Sequence, residues 1–299
     1  MPATSHPIAL CRLLLAASLP ALLTLAAHAQ GTADGSASLY ARPPLAWIQA
    51  AAVHEIPIIT QVSPYIRYHE LYQGNKGAEL RDVIESTDGS VARLLARNGQ
   101  PLTADQDAAE RARLQHLLDK PSDYYRHHDD DASDKKRAVT LVNQLSRAMI
   151  YTYAPDQTPA PGHPTPQVVI DYRPDPTYHP PDTASQALQG ASGRIWLDAA
   201  SGRMVRMHAD VNRDINFGWG LLARIYKGGS LDFEQVDTGP RWIFTRLDEH
   251  FDFRALLIKT VRVNTHIVST NYSQIQPMRF QDAIHILLAE PIPAQCPCY

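Results

Sequence analysis

Cysteine is scarce, with three residues in 299: Cys11, Cys296 and Cys298. So few thiols are a poor basis for a thiol-based redox enzyme. Cys11 stands ahead of an apolar run and follows the bulky Leu10, so it is misplaced for lipid attachment at a cleavage site. A basic block is missing too. The formal net charge is −3, which argues against nucleic acid and anionic lipid surfaces as partners. Glycine-rich fingerprints are absent: no P-loop, no dinucleotide motif and no G-x-S-x-G elbow. Neither a sequence repeat nor a βαβ alternation is found, which speaks against a parallel nucleotide-binding fold. Beyond the first 30 residues no apolar run approaches the ~20 residues that span a bilayer.

What the sequence does contain begins at its start. Arg12 is followed by the apolar run 13–25 and by Ala27-His28-Ala29 before Gln30. A positive charge, a short apolar run and an A-x-A cut define a secretory signal peptide over 1–29. The expected destination is the periplasm or the extracellular space, with no transmembrane segment after cleavage. An oxidising compartment favours pairing of Cys296 with Cys298. The C-x-C ring is tight, however, and disulfides prefer Cα atoms ~5.5 Å apart. Three readings stay open: a strained local disulfide, pairing with another chain, and a tail without a role.

Residues 30–62 read as a flexible lead-in, and 63–288 as one domain, since 44 % apolar residues suffice for a core. The tail is 289–299. Residues 65–72, 78–86 and 90–96 alternate as strands, with Thr87-Asp88-Gly89 as a hairpin turn. Thr103 with Gln106 forms a capping box that opens a helix to about Lys120, where Pro121 closes it. A second helix fits 133–153, with Ala138, Leu141, Val142, Leu145, Ala148 and Met149 at a period of roughly 3.6. Strands follow at 168–172, 193–198, 203–211, 231–236, 241–247 and 259–268. In 203–211, Val205, Met207, Ala209 and Val211 share one face while Arg206, His208 and Asp210 share the other. In 259–268, Arg262, Asn264 and His266 oppose Val261, Val263, Thr265 and Ile267. Such alternation gives a sheet with one dry and one wet face. The expected fold is α+β: a strongly curved antiparallel sheet with two helices inserted after the first β region.

Several stretches carry a resemblance: Gly99-Gln100-Pro101-Leu102-Thr103, Asp171-Tyr172-Arg173-Pro174-Asp175-Pro176, Gly193-Arg194-Ile195-Trp196-Leu197-Asp198, residues 217–229 and Arg254-Ala255-Leu256-Leu257. Over most of 63–280 the chain resembles a family of secreted bacterial proteins of Acidobacteria type. At fold level that family is similar to the LolA/LppX-like lipoprotein carriers. The resemblance implies a half-barrel enclosing an apolar cavity for acyl chains, hence a non-enzymatic carrier of a lipid or a lipoprotein acyl group. No acyl-contacting residue carries over individually.

From the residues themselves, Trp196, Phe217, Trp219, Phe233, Trp242 and Phe244 are the candidate cavity lining, set against a plain aromatic core. His127-His128-Asp129-Asp130-Asp131 is read as a solvated inter-helix loop rather than a metal site, since adjacent ligands rarely converge on one ion. Asp248-Glu249-His250-Phe251-Asp252 offers an acid–base set, with Asp248, His250 and Asp252 on one strand face. No residue is assigned to catalysis or to a metal, and no cofactor is expected. Residues 221–226 are read as a short helix or turn. Two other functions stay open: an envelope module that recruits another protein through a sheet edge or the tail, and a hydrolase using Asp248, Glu249 or 127–131. The sequence sets neither ligand nor oligomeric state.

Overall fold

Period-two alternation becomes thirteen antiparallel strands in one sheet that does not close. The structure is a computed structural model. It describes residues 39–60, 63–217, 223–239, 241–255 and 259–291, without the side chains of 127–132, 255 and 259. The signal segment 1–29, Trp219, Cys296 and Cys298 lie outside the described residues.

The chain enters through helix α1 (Pro44–Thr60). Strands β1 (Ile66–Gly74), β2 (Gly77–Ser86), β3 (Gly89–Arg97) and β4 (Gln100–Pro101) follow as hairpins. Helices α2 (Ala104–Asp119) and α3 (Pro121–Ala148) lead to β5 (Met149–Tyr153), β6 (Gln167–Pro174), a 3-10 turn (Ala184–Gln189), β7 (Ala191–Asp198) and β8 (Met204–Val211). Then come β9 (Ile215–Phe217), β10 (Ala223–Ile225), β11 (Ser230–Asp237), β12 (Trp242–Ala255), β13 (Lys259–Gln274) and α4 (Phe280–Ala289). The sheet order is β4-β3-β2-β1-β13-β12-β11-β8-β7-β6-β5, with β10 and β9 as a flap on β12.

Five expectations are corrected. The lead-in 30–62 contains α1, a 17-residue helix. The second inserted helix begins at Pro121, because proline's fixed φ suits the first helical turn, and it ends at Ala148. Met149 to Tyr153, rich in β-branched and aromatic side chains, pair with β6 instead. The backbone of His127 to Asp131 is therefore helical rather than a loop. Within 221–226, residues 223–225 are strand β10. Ala289, placed in the tail, is the last residue of α4. The capping box at Thr103 forms as expected: Gln106 N–H donates to Thr103 Oγ1 at 3.3 Å and Thr103 N–H to Gln106 Oε1 at 2.9 Å.

Register aligns the dry face across seven strands. Ile170, Ile195, Met207, Phe233, Leu247, Ile267 and Tyr72 are successive cross-strand partners from β6 to β1. Trp47, Ile48 and Ala51 of α1 and Leu141 and Leu145 of α3 pack on the β5–β8 end of this face. Each fully buried aliphatic or aromatic side chain contributes roughly 1.5–3 kcal/mol. At the other end of the sheet, Ile84 and Val91 pack with Leu114 of α2, Tyr124 of α3 and Phe280, Ile284 and Leu287 of α4. The Tyr124 and Phe280 rings stack at 3.9 Å.

The C-terminus of α4 is held by arginines. Arg93, 1 % exposed, donates to Leu287 O at 2.6 Å and Glu290 O at 2.7 Å. Arg111 donates to Leu288 O at 2.5 Å and Glu290 O at 3.0 Å. Cations there satisfy orphan carbonyls and suit the negative end of the helix dipole.

Candidate functional site

One residue along from the apolar strip, register builds a polar row on the opposite face: Asp171, Arg194, His208, Asp232, Asp248, His266 and Gln73. Asp232 and Asp248 are direct partners, and each is held by its own histidine and arginine. His208 Nδ1 lies 2.8 Å from Asp232 Oδ2, and Arg206 Nη2 donates to Asp232 Oδ1 at 2.7 Å. His266 Nδ1 bonds Asp248 Oδ1, and Arg246 Nε donates to Asp248 Oδ2 at 2.5 Å. Burial alone would push Asp248 up, but the bonds from His266 and Arg246 outweigh it and hold the carboxyl below its usual range. These groups are partly exposed, so each pair adds at most about 1 kcal/mol.

At the end of this row lies an open groove of about 480 Å³, lined in part by Gln73, Asn75, Asp248, His250, Asn264 and His266. His250 Nδ1 meets Asn264 Oδ1 at 2.5 Å, and Asn264 Nδ2 donates to Asn75 Oδ1 at 3.4 Å. Of the acid–base set, Asp248, His250 and Asp252 thus share the wet face. Glu249 pairs with Thr265 in the register of the dry face, where burial pushes its carboxyl to about 7.

The five candidate lining aromatics among the described residues do not converge. Phe233 and Phe244 touch on the dry face, ring centroids 5.1 Å apart. Trp196 stands among the wet-face residues, with Arg194 and Arg206 guanidinium carbons 5.9 and 5.2 Å from its ring, and donates to Thr158 O at 2.9 Å. Trp242 is half-buried near Arg203. Phe217 joins Val211, Ile215 and Ile225 with Phe251 and Phe253.

Between α1 and the dry face sits a different pair, which sequence reasoning passed over. Glu55 of α1 is 6 % exposed and Gln235 of β11 is 1 % exposed. Gln235 Nε2 donates to Glu55 Oε2 at 2.8 Å. Among the described residues no group makes a well-formed hydrogen bond to Glu55 Oε1 or Gln235 Oε1. Burial pushes the Glu55 carboxyl to about 7, against smaller downward pulls from Gln235, Arg203 and the Met204 backbone N–H. Each unsatisfied buried acceptor costs about 1–3 kcal/mol. The signal was present in the sequence: Glu55 is the one carboxylate within the largely apolar stretch 44–60.

Helix α1 is apolar on both sides. Trp47, Ile48, Ala51, Ile58 and Ile59 are buried, while Leu45 is 38 % and Val53 is 68 % exposed. Its N-terminal end is tied to β5 by Trp47 Nε1 donating to Tyr153 Oη at 3.2 Å. No described helix is long and apolar enough to cross a membrane, and no group of three or more histidines, cysteines or acids suited to a metal occurs among the described residues. No family model, curated protein or solved structure matches this chain.

Proposed function

We propose that the protein is an exported, non-enzymatic carrier that shelters an acyl chain between helix α1 and the dry face of its open sheet. The observation that carries this reading is the roof itself. A helix apolar on both sides packs on the β5–β8 end of an apolar strip that runs across seven strands, and where it reaches β11 the contact contains an imperfectly satisfied polar pair. Helix α1 packs directly on the β5–β8 end of this face. A bound chain would take over its contacts with the sheet, with burial worth about 0.8 kcal/mol per CH₂. A half-barrel of carrier type belongs to the same proposal, as does removal of 1–29 on export.

Native mass spectrometry of protein purified from its own envelope should find an acyl lipid bound and a mature chain starting at Gln30. In a variant that keeps Trp47 as its only tryptophan, an acyl lipid should shift the emission as α1 leaves the sheet. A consistently empty protein whose Trp47 emission ignores such lipids would sink the carrier reading.

A hydrolytic use of the wet face is a second reading, favoured by His266 held by Asp248 at the groove, the arrangement that orients a general base. Replacing His266 and Asp248 together should then abolish any hydrolytic activity found in the purified protein, and unchanged activity would remove this reading.

A further inference from the structure

We infer that Glu55 and Gln235 form the headgroup subsite of the acyl site and select a neutral hydrogen-bond donor, a hydroxyl or an amide N–H, over a free carboxylate. This rests on the carrier reading and deepens it. The two side chains belong to opposite sides of the helix–sheet contact, Glu55 to the roof and Gln235 to the floor, where Gln235 pairs across β11 and β12 with Phe244. Both are more than nine-tenths buried. Their mutual bond uses Gln235 Nε2 and Glu55 Oε2. Glu55 Oε1 and Gln235 Oε1, both acceptors, complete no well-formed hydrogen bond with the described residues, and the Met204 backbone N–H is the donor that comes nearest the Glu55 carboxyl.

The complement of two unfilled acceptors in a buried helix–sheet contact is a ligand that brings donors. A glycerol hydroxyl or an N-acyl amide N–H can supply them, with its hydrocarbon on the neighbouring Phe233, Phe244 and Leu231. An ionised fatty acid cannot. Its carboxylate would add acceptors and place a like charge against Glu55, a cost magnified where water is excluded. Arg203, half-buried beside the pair, is the charged neighbour acting on Glu55, and His54 precedes Glu55 on α1. The desolvated carboxyl shows no ion pair with either.

The test compares palmitoylglycerol, palmitamide and palmitate binding to the full chain, above pH 7 so that Glu55 is ionised, by competition against a fluorescent acyl lipid. A bond to a buried charged acceptor should favour each neutral donor by about tenfold over palmitate. In the Glu55→Leu/Gln235→Leu variant, which replaces both polar partners with hydrocarbon and so should fold, the three lipids should bind alike. Glu55→Gln, close in shape, should keep the hydroxyl and amide ligands and lose most of the discrimination against palmitate. Equal binding of all three lipids by the unaltered protein, or selectivity that survives the double substitution, overturns the headgroup assignment and leaves the carrier standing. No binding of any of the three overturns both.

Discussion

Arg241 and Glu85 face each other with both side chains 2 % exposed, Nη2 to Oε1 at 2.6 Å. Arg241 Nη1 also donates to Pro64 O at 2.9 Å, and Glu85 Oε2 accepts the Ile66 N–H at 2.9 Å. One ion pair thus ties the lead into β12, the end of β2 and the start of β1. Burial pushes the Glu85 carboxyl up, opposed by Arg241. Removing one partner leaves the other charge buried and alone. Arg241→Met should therefore destabilise by about 3–5 kcal/mol, whereas Arg241→Met with Glu85→Leu should recover much of the loss. Urea unfolding followed by circular dichroism reads both, and a double variant no better than the single one would contradict the account.

Glu55 gives stability a pH dependence of definite sign. Its carboxyl is raised from an ordinary 4.5 to about 7 in the folded protein. Between those values the folded state holds a proton that the unfolded state has released, so this group's contribution falls as pH rises from about 4.5 to 7 and is level above. A shift of this size corresponds to about 3 kcal/mol. Glu55→Gln should unfold with a shallower loss of stability over that window than the unaltered protein. Parallel curves of melting temperature against pH would refute the assignment.

Gly193 sits where β7 and β8 approach too closely for any side chain. A Cβ there would lie 1.9 Å from His208 O and 2.9 Å from Ala209 Cα, both backbone atoms that cannot swing aside. Gly193→Ala should cost about 1–3 kcal/mol and disturb the His208–Asp232 pair, lowering the melting temperature. A melting temperature equal to that of the parent would show that the strands can separate without penalty.

The alternating strands could be read from the chain because one face is apolar and the other polar. Val205 and Val211 against Arg206 and Asp210 announce β8, and Asp88-Gly89 announces the turn from β2 to β3. Thr103 and Gln106 mark the start of α2 for a local reason, reciprocal capping. Helix α1 escaped because its apolar residues cover every side, which erases the roughly 3.6-residue period, and Pro57 stands inside it. Helix α4 was likewise missed among the residues after β13. The end of α3 was overrun because Met149 continues its apolar period although β6 recruits that residue into the sheet. Of the candidate site, single-strand alternation gave the faces that bear His208, Asp248 and His266. That Asp232 and Asp248 oppose each other, or that Gln235 meets Glu55 180 residues away, depends on strand order, which alternation does not encode.

Strand order carries a last consequence, for the path of folding. β1 has β13 as its inner neighbour, pairing Ile66 with Gln274 and Tyr72 with Ile267. During synthesis the β1–β4 hairpins can form early, but β1 then presents an unpaired edge until nearly the whole chain has emerged. Such long loop closure slows folding, and an open edge invites pairing with another copy. A nascent chain stalled before β13 should therefore be the aggregation-prone species of this protein.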